Sequence, residues 1–310
     1  MKRILTLVLA LLVIALPCAF AEESRGTVYW CANNTANEFS VNMAKYCEEI
    51  GNSYGWEVIV LDADSDVATQ LSNVEKAIAA DAAAIFIDPV STDGLNTVLL
   101  SAINDHDIPV ICIHGGTSNQ EELTAFVACD MYTGGMIEMQ MCVDDLGGKG
   151  KIAIIRATEG HDVANNITDG YYAVLENYPD IEVVYTGVGD WGADSATPFA
   201  ETWLTADPDI DAIVCNNDGM ALGVRPIIHS MGLEDSCKLY GLDAISEARN
   251  YIRDENCCYA GSIMMDTYAE FEAGFDILEK YYNGEEFENQ VVIDPVGVNA
   301  SNIDELFPDD

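Results

Sequence analysis

Residues 27–62, TVYWCANNTANEFSVNMAKYCEEIGNSYGWEVIVLD, decide the fold of this chain. Thr27–Ala32 is a short apolar run, Glu38–Tyr54 carries apolar residues at helical spacing, and Glu57–Leu61 is a second short run. A strand, an amphipathic helix and another strand in that order form a βαβ unit, in which the two strands lie parallel and the helix covers one face. The pattern continues almost to the C-terminus. Further strands are expected at Ala83–Ile87, Val110–Ile113, Ala125–Cys129, Lys151–Arg156, Ile181–Tyr185, Ala212–Cys215, Lys238–Gly241, Gly261–Met264 and Val291–Ile293. Helical patterns fill most of the gaps, among them Val67–Ala80, Gly134–Asp145 and Asn165–Asn177. This alternation is the signature of parallel α/β sheets with helices on both faces. Two such runs, changing near Asp130, predict two doubly wound lobes.

The N-terminus has a different character. Met1-Lys2-Arg3 precedes an apolar run from Ile4 to Leu16, then Pro17 and the small-residue site Ala19-Phe20-Ala21. That is the pattern of a secretory signal peptide spanning residues 1–21, too short for a comfortable membrane span. It predicts an exported protein of the periplasm or cell envelope that starts at Glu22. Cys18 suggests a lipid anchor, but Pro17 directly before it fits a lipoprotein cleavage box poorly. The remaining 289 residues suit two domains of ordinary size.

The whole chain has 13 Lys+Arg against 53 Asp+Glu, a formal charge of −40. Such a surface is repelled by phosphate backbones and anionic membranes, so nucleic acid is not an expected partner. Beyond Cys18 there are nine cysteines, an odd number, and no C-x-x-C pair. A zinc site or a full disulfide framework is therefore disfavoured, and Cys31, Cys112, Cys129 and Cys215 read as small core residues. Cys237, Cys257 and Cys258 precede two neighbouring strands, and their spacing leaves one disulfide among them open.

Motifs for cofactors or catalysis fail on inspection. Gly147-Gly148-Lys149-Gly150-Lys151 precedes a strand and lacks the earlier glycine of a phosphate loop, so it is a turn. Asp62, Asp64 and Asp66 begin like a calcium loop, but Val67 and Asn73 stand where the turn glycine and the bidentate glutamate belong. No G-x-G-x-x-G and no G-x-S-x-G is present, and the four histidines form no visible nucleophile–base pair. No cofactor, no metal and no enzymatic activity are expected.

Open α/β sheets bind ligands beyond the carboxyl ends of their strands. The residues there are Asn33, Asn34 and Asn37 after the first strand, His114 after the fourth and His161-Asp162 after the sixth. Trp191 follows the seventh, Asn216-Asn217-Asp218 the eighth and Asp243 the ninth. Amides, carboxylates and imidazoles exchange hydrogen bonds with hydroxyl groups, and an aromatic face packs on the C–H face of a sugar ring. An Asp before a helix, as Asp243 is, is also an ordinary N-cap.

The segment Cys215-Asn216-Asn217-Asp218-Gly219-Met220-Ala221-Leu222-Gly223 resembles the N-D-x-M-A-x-G signature of the type I periplasmic binding proteins, especially the galactose/glucose- and ribose-binding members. Gln70-Leu71-Ser72-Asn73-Val74-Glu75, Ile87-Asp88 before Pro89, Ile108–Ile111, Gly241–Ala244 with Glu247-Ala248, and Pro295–Val298 support it in the same order. The resemblance implies lobes that cross near Asp130, Met265 and Pro295. The N-terminal lobe is then residues 22–130 plus 266–294, and the C-terminal lobe residues 131–265 plus 295–310. It implies ligand contacts at Asn37, Phe39, His114, His161, Asp162 and Asn165, an aromatic platform at Trp191, and hydroxyl partners at Asn217 and Asp243. Trp191 stands twelve residues before Trp203-Leu204, as in the galactose-binding pattern. Sugar-binding members usually carry an Arg where Asn165 stands and an Asn or Gln at Met265, and ribose-type members have Asp-Arg at His114-Gly115. These departures leave the ligand open beyond a small polar molecule, a sugar or polyol foremost. The implied function is that of a monomeric solute receptor handing its ligand to an ABC permease. The competing readings are a sensing module for a chemoreceptor or kinase, and a sugar-responsive repressor, which the signal peptide and the acidity oppose.

Overall fold

The computed structural model describes residues 25–254 and 256–308, so the signal-peptide reading, Glu22 and Cys18 lie outside the described residues. In the first sheet β1 (Thr27–Ala32), β2 (Glu57–Asp62), β3 (Ala84–Ile87), β4 (Val110–Ile113), β5 (Ala125–Cys129) and β11 (Gln290–Ile293) run in the order β11-β5-β4-β3-β1-β2, all parallel. The second contains β6 (Gly150–Arg156), β7 (Ile181–Val188), β8 (Ala212–Cys215), β9 (Lys238–Tyr240), β10 (Tyr259–Met264) and β12 (Val296–Asn299), ordered β12-β10-β9-β8-β6-β7. The two doubly wound lobes expected from the alternation are present. The chain passes between the sheets after β5, after β10 and between β11 and β12.

Period two along the strands divides each core into two layers. On β3, Ala84 and Phe86 pack on one side with Trp30 of β1, while Ile85 and Ile87 pack on the other with Cys31. Side chains of successive strand residues point to opposite faces, so a strand buried on both faces must be apolar throughout. One face of the first sheet is covered by α1 (Glu38–Ser53) and α9 (Thr267–Asn283), the other by α2 (Val67–Ala79) and α3 (Asn96–His106). In the second lobe α4 (Met131–Asp145) and α5 (Asp162–Leu175) cover one face, and α6 (Ala193–Ala206), α7 (Asp218–Ser230) and α8 (Ser246–Ile252) the other. A short α10 (Ile303–Leu306) follows β12.

Helices α4 and α5 touch backbone to backbone. A Cβ on Gly135 would strike the Ile167 carbonyl, and one on Gly170 the Tyr132 carbonyl. Only glycine permits that approach, and it seats α5, whose N-terminus follows His161. The buried Tyr171 hydroxyl donates to Glu138 Oε2 at 2.6 Å across the same helix pair.

Three differences from the sequence reading stand out. β12 was not expected; its four residues include Gly297 and end in Asn299, which interrupt the apolar run, and it is an edge strand that pairs antiparallel with β10, the one departure from the expected parallel sheets among the described residues. Helices α4 and α5 start three residues before their expected starts. For α4 the cause is Asp130, whose side chain accepts from Thr133 N at 2.9 Å and caps the helix. The disulfide left open among Cys237, Cys257 and Cys258 is absent: all nine cysteines among the described residues are free, with Cys237 and Cys258 buried as apolar side chains in the second lobe.

Candidate functional site

Where strand order reverses, at β1/β3 in the first sheet and β6/β8 in the second, neighbouring loops diverge and leave a crevice. The two crevices face each other. The cavity between them holds only about 50 Å³, far below the usual volume of a small-molecule site, so the cleft is nearly shut.

Of the nine residues expected to contact ligand, Asn37, Phe39, His114, His161, Trp191, Asn217 and Asp243 line this cavity. Asp162 and Asn165 do not. Asp162, the first residue of α5, faces an adjoining recess with His114 and Tyr132, and its Oδ2 accepts from Gly116 N at 3.3 Å. Asn165 lies one turn further along α5, carried past the cavity by the helix. The cavity adds Asn33, Asn34, Ser40, Asp88, Val163 and Leu242. Asp88 directly follows β3 at the switch point, so the strand-end rule points to it once it is applied to the third strand.

Several polar side chains are committed to the fold. Asn37 caps α1 by accepting from Ser40 N at 2.9 Å, and Asn217 caps α7 by accepting from Met220 N at 2.9 Å. The Asn217 amide also donates to the Trp191 carbonyl at 3.2 Å. The rest of the signature segment is structural too. Asn216 Oδ1 accepts from Ala157 N, and the buried Asp218 accepts from Tyr259 Oη, Ser262 Oγ and Ile245 N. Asp243 does not cap α8, whose N-cap is Ile245 with no side-chain bond.

Two histidines from different lobes meet in the cleft with opposite electrostatics. His161 Nε2 lies 3.0 Å from Asn33 Nδ2, a contact between residues 128 apart in sequence. An amide nitrogen only donates, so with this amide orientation Nε2 accepts and Nδ1 carries the proton. That Nδ1 is buried with no partner in the protein. Burial and the neighbouring His114 charge push the His161 pKa down to about 4, so the ring is neutral at pH 7. For His114 burial opposes the cation, but Glu270, with its hydrogen bond, and the charges of Asp88 and Asp243 outweigh it and raise the pKa to about 9. Its Nδ1 lies 3.4 Å from Glu270 Oε1, which also accepts from Cys129 N at 2.7 Å.

The carboxylates are strained in the complementary sense. Asp88 is 8% exposed, and its Oδ1 has no hydrogen-bond partner in the protein. Burial pushes its pKa up to about 7 against the pull of His114. The Asp243 carboxyl is raised well above the usual range by burial and by Asp218. Left-handed backbone recurs here, with φ of +73° at His114, +65° at Trp191 and +116° at Asp243. Non-glycine residues hold such angles at a cost, and strain of this kind gathers at ligand sites. Trp191 meets the His161 ring edge-on, with centroids 5.3 Å apart and planes at 73°. Phe39 lies 4.9 Å from the His114 ring.

Two α/β lobes whose switch points face each other over a polar, aromatic-edged cleft define a two-lobed small-molecule-binding protein. The chain belongs to the family described as the periplasmic binding protein domain, which it matches over residues 28–286. It is 29% identical over 249 residues to the xylitol-binding protein of Mycolicibacterium smegmatis, covering 80% of this chain and 70% of that one. It is 28% identical over 240 residues to the ribose import binding protein of Bacillus subtilis, covering 77% of each. Among solved structures, an ABC transporter solute-binding protein from Bacillus halodurans with bound myo-inositol superposes with a TM-score of 0.85 at 26% identity, covering 92% of this chain and 98% of that one. Among the described residues no helix is long and apolar enough to cross a membrane.

Proposed function

We propose that the protein is the extracytoplasmic receptor of an ABC importer, which closes its lobes on a small polyhydroxylated molecule and presents the closed form to a membrane permease. The observation that carries this reading is a pair of buried polar atoms with no partner in the protein, Asp88 Oδ1 from one lobe and His161 Nδ1 from the other, both at the same cavity. An unpaired buried polar group costs about 1–3 kcal/mol, and a ligand hydroxyl that donates to the first and accepts from the second relieves both costs. The relatives named for xylitol binding and for ribose import, and the inositol-bound neighbour, support a polyol or sugar as that ligand.

In this reading Trp191 and Phe39 flank the ligand while Asn33, Asp88, His114, His161 and Asp243 bind its polar groups. Asn37 and Asn217 shape the cleft from their capping positions. The lobes are residues 22–130 plus 266–294 and residues 131–265 plus 295–310, rotating about the three crossings as rigid bodies. The protein acts as a monomer, after export, by binding and release without chemistry on the ligand. A thermal-shift screen of the mature protein against pentoses, hexoses, linear polyols and cyclitols tests this. A ligand at a hundred times its dissociation constant adds about 2.7 kcal/mol to stability, a plainly visible shift. A panel that leaves the melting temperature unchanged throughout overturns the polyol reading.

A further inference from the structure

His114 offers its two ring nitrogens to different surroundings. Nδ1 faces Glu270 Oε1 at 3.4 Å, while Nε2 has no hydrogen-bond partner among the described residues and belongs to a side chain that lines the cleft. The ring has little freedom to turn. Phe39 of α1 packs on it, and the His114 backbone N–H donates to the Val127 carbonyl at 2.9 Å.

Glu270 is the fourth residue of α9 and fully buried, and its Oε1 accepts from Cys129 N at 2.7 Å. That oxygen is therefore an acceptor, and a bare Nδ1 beside it would set two lone pairs against each other, so Nδ1 carries a proton. Nε2 is then either bare in a neutral ring or protonated in a cation. The charges decide for the cation. Glu270 is the ion-pair partner of His114, and a buried carboxylate without its counter-charge is costly. Asp88 and Asp243 line the same cavity from beyond β3 and β9, and Asp130 and Asp162 share a recess with His114 beside Cys129 and Tyr132. Against burial, Glu270 and then Asp88 and Asp243 raise the His114 pKa to about 9, while His161 opposite stays neutral.

The pairing lies within one lobe. His114 follows β4, Cys129 ends β5, and α9 covers the same sheet, so parting of the lobes leaves Glu270 against His114. Asp243 and His161 belong to loops of the second sheet and move away with it. We propose that Glu270 is a positioning residue, which keeps His114 doubly protonated so that Nε2–H stands as a donor into the cleft before the ligand arrives as well as after closure. This rests on the receptor reading and concerns how its site is prepared. A charged donor fixed in advance meets a hydroxyl oxygen without reorganisation on binding.

The test is nitrogen NMR of the mature, ligand-free protein carrying isotope-labelled histidine, with the His114 signals assigned from a His114→Gln spectrum. At about pH 8, well above the usual imidazole pKa of about 6.5, both His114 nitrogens should be protonated. One bare nitrogen there overturns the proposal, and this measurement needs no variant at Glu270. Glu270→Gln keeps an acceptor for Cys129 N and removes the charge, so the His114 titration should move down by about one pH unit or more. Unchanged His114 signals in the folded variant overturn the role of Glu270. Calorimetry with xylitol, D-ribose and myo-inositol then reads the consequence. For a polyol that binds, Glu270→Gln should be on the order of tenfold weaker than the unaltered protein at about pH 8 and close to it at about pH 5, where the solution supplies the proton. Asp88 titrates over the same span in both proteins and largely cancels in the ratio. A loss equal at both pH values marks packing alone and overturns the donor role. If none of the three binds, that counts against the receptor reading, and the NMR signals still decide the state of His114.

Discussion

Glu38 is expected to control affinity without touching the ligand. It lies in the first turn of α1, and its carboxylate reaches across to α8, accepting from Ser246 N at 3.0 Å and from Ser246 Oγ at 2.7 and 2.9 Å. Among the described residues the other hydrogen bonds across the cleft are Asn33 with His161, the Thr92 hydroxyl with the Gly160 carbonyl at 2.9 Å, and Gly116 N with Asp162, and Phe39 packs across it on the second lobe's core. Opening the lobes breaks all of them, so Glu38 stabilises only the closed state. Its bonds are charge-assisted but exposed, which brings their joint contribution to about 1 kcal/mol. Glu38→Ala removes them and leaves the Asn37 cap of α1 in place. Apparent affinity scales with the population of the closed form, so ligand should bind about fivefold more weakly. The melting temperature of the open, ligand-free protein should hardly change. Calorimetry measures the affinity, and small-angle scattering should still show the radius of gyration fall at saturating ligand. Ser246→Ala removes the hydroxyl half of the contact, and the double variant should bind no more weakly than Glu38→Ala alone. Additive losses, or an unchanged affinity in a folded Glu38→Ala protein, would refute the latch.

Trp191→Ala should weaken ligand binding about thirtyfold or more, the scale of an interface hot spot, because the ring lines the cavity and its backbone is held in place by Asn217. The ring is half-buried, so the ligand-free protein should lose less than the roughly 3–5 kcal/mol of a core tryptophan; full affinity in the variant sinks the platform role. In the closed form burial raises the Asp88 pKa from 3.8 to about 7, so its contribution to closure is whole below about pH 4 and lost as pH rises through about 7. Asp88→Asn should therefore favour the closed over the open form of the ligand-free protein by roughly 2–4 kcal/mol at pH 8, read as a smaller radius of gyration in small-angle scattering, with the gain vanishing toward pH 4; a change independent of pH contradicts this linkage. Gly135→Ala should destabilise the second lobe by about 1–3 kcal/mol or more in denaturant titration, since the new Cβ meets the Ile167 backbone, and a neutral effect would mean that α4 and α5 are less tightly seated than described.

The sequence by itself determined the architecture and most of the cleft. Strands buried on both faces must be continuously apolar and the helices over them amphipathic, so the alternation alone reveals two doubly wound lobes. Parallel strands put all their carboxyl ends along one edge, so His114, Trp191 and Asp243 could be placed at the cleft by counting from strand ends. Tertiary structure alone decided what each residue does there. Whether Asn217 meets a ligand or caps α7 depends on helix geometry, and whether Asp162 faces the cavity or the recess beside it depends on the turn of α5. The opposite charge states of His114 and His161 arise from partners far away in sequence, Glu270 at 156 residues from the first and Asn33 at 128 from the second. Pairings over such separations leave no local pattern, because they come into being only when the two sheets face each other and expel water from between them.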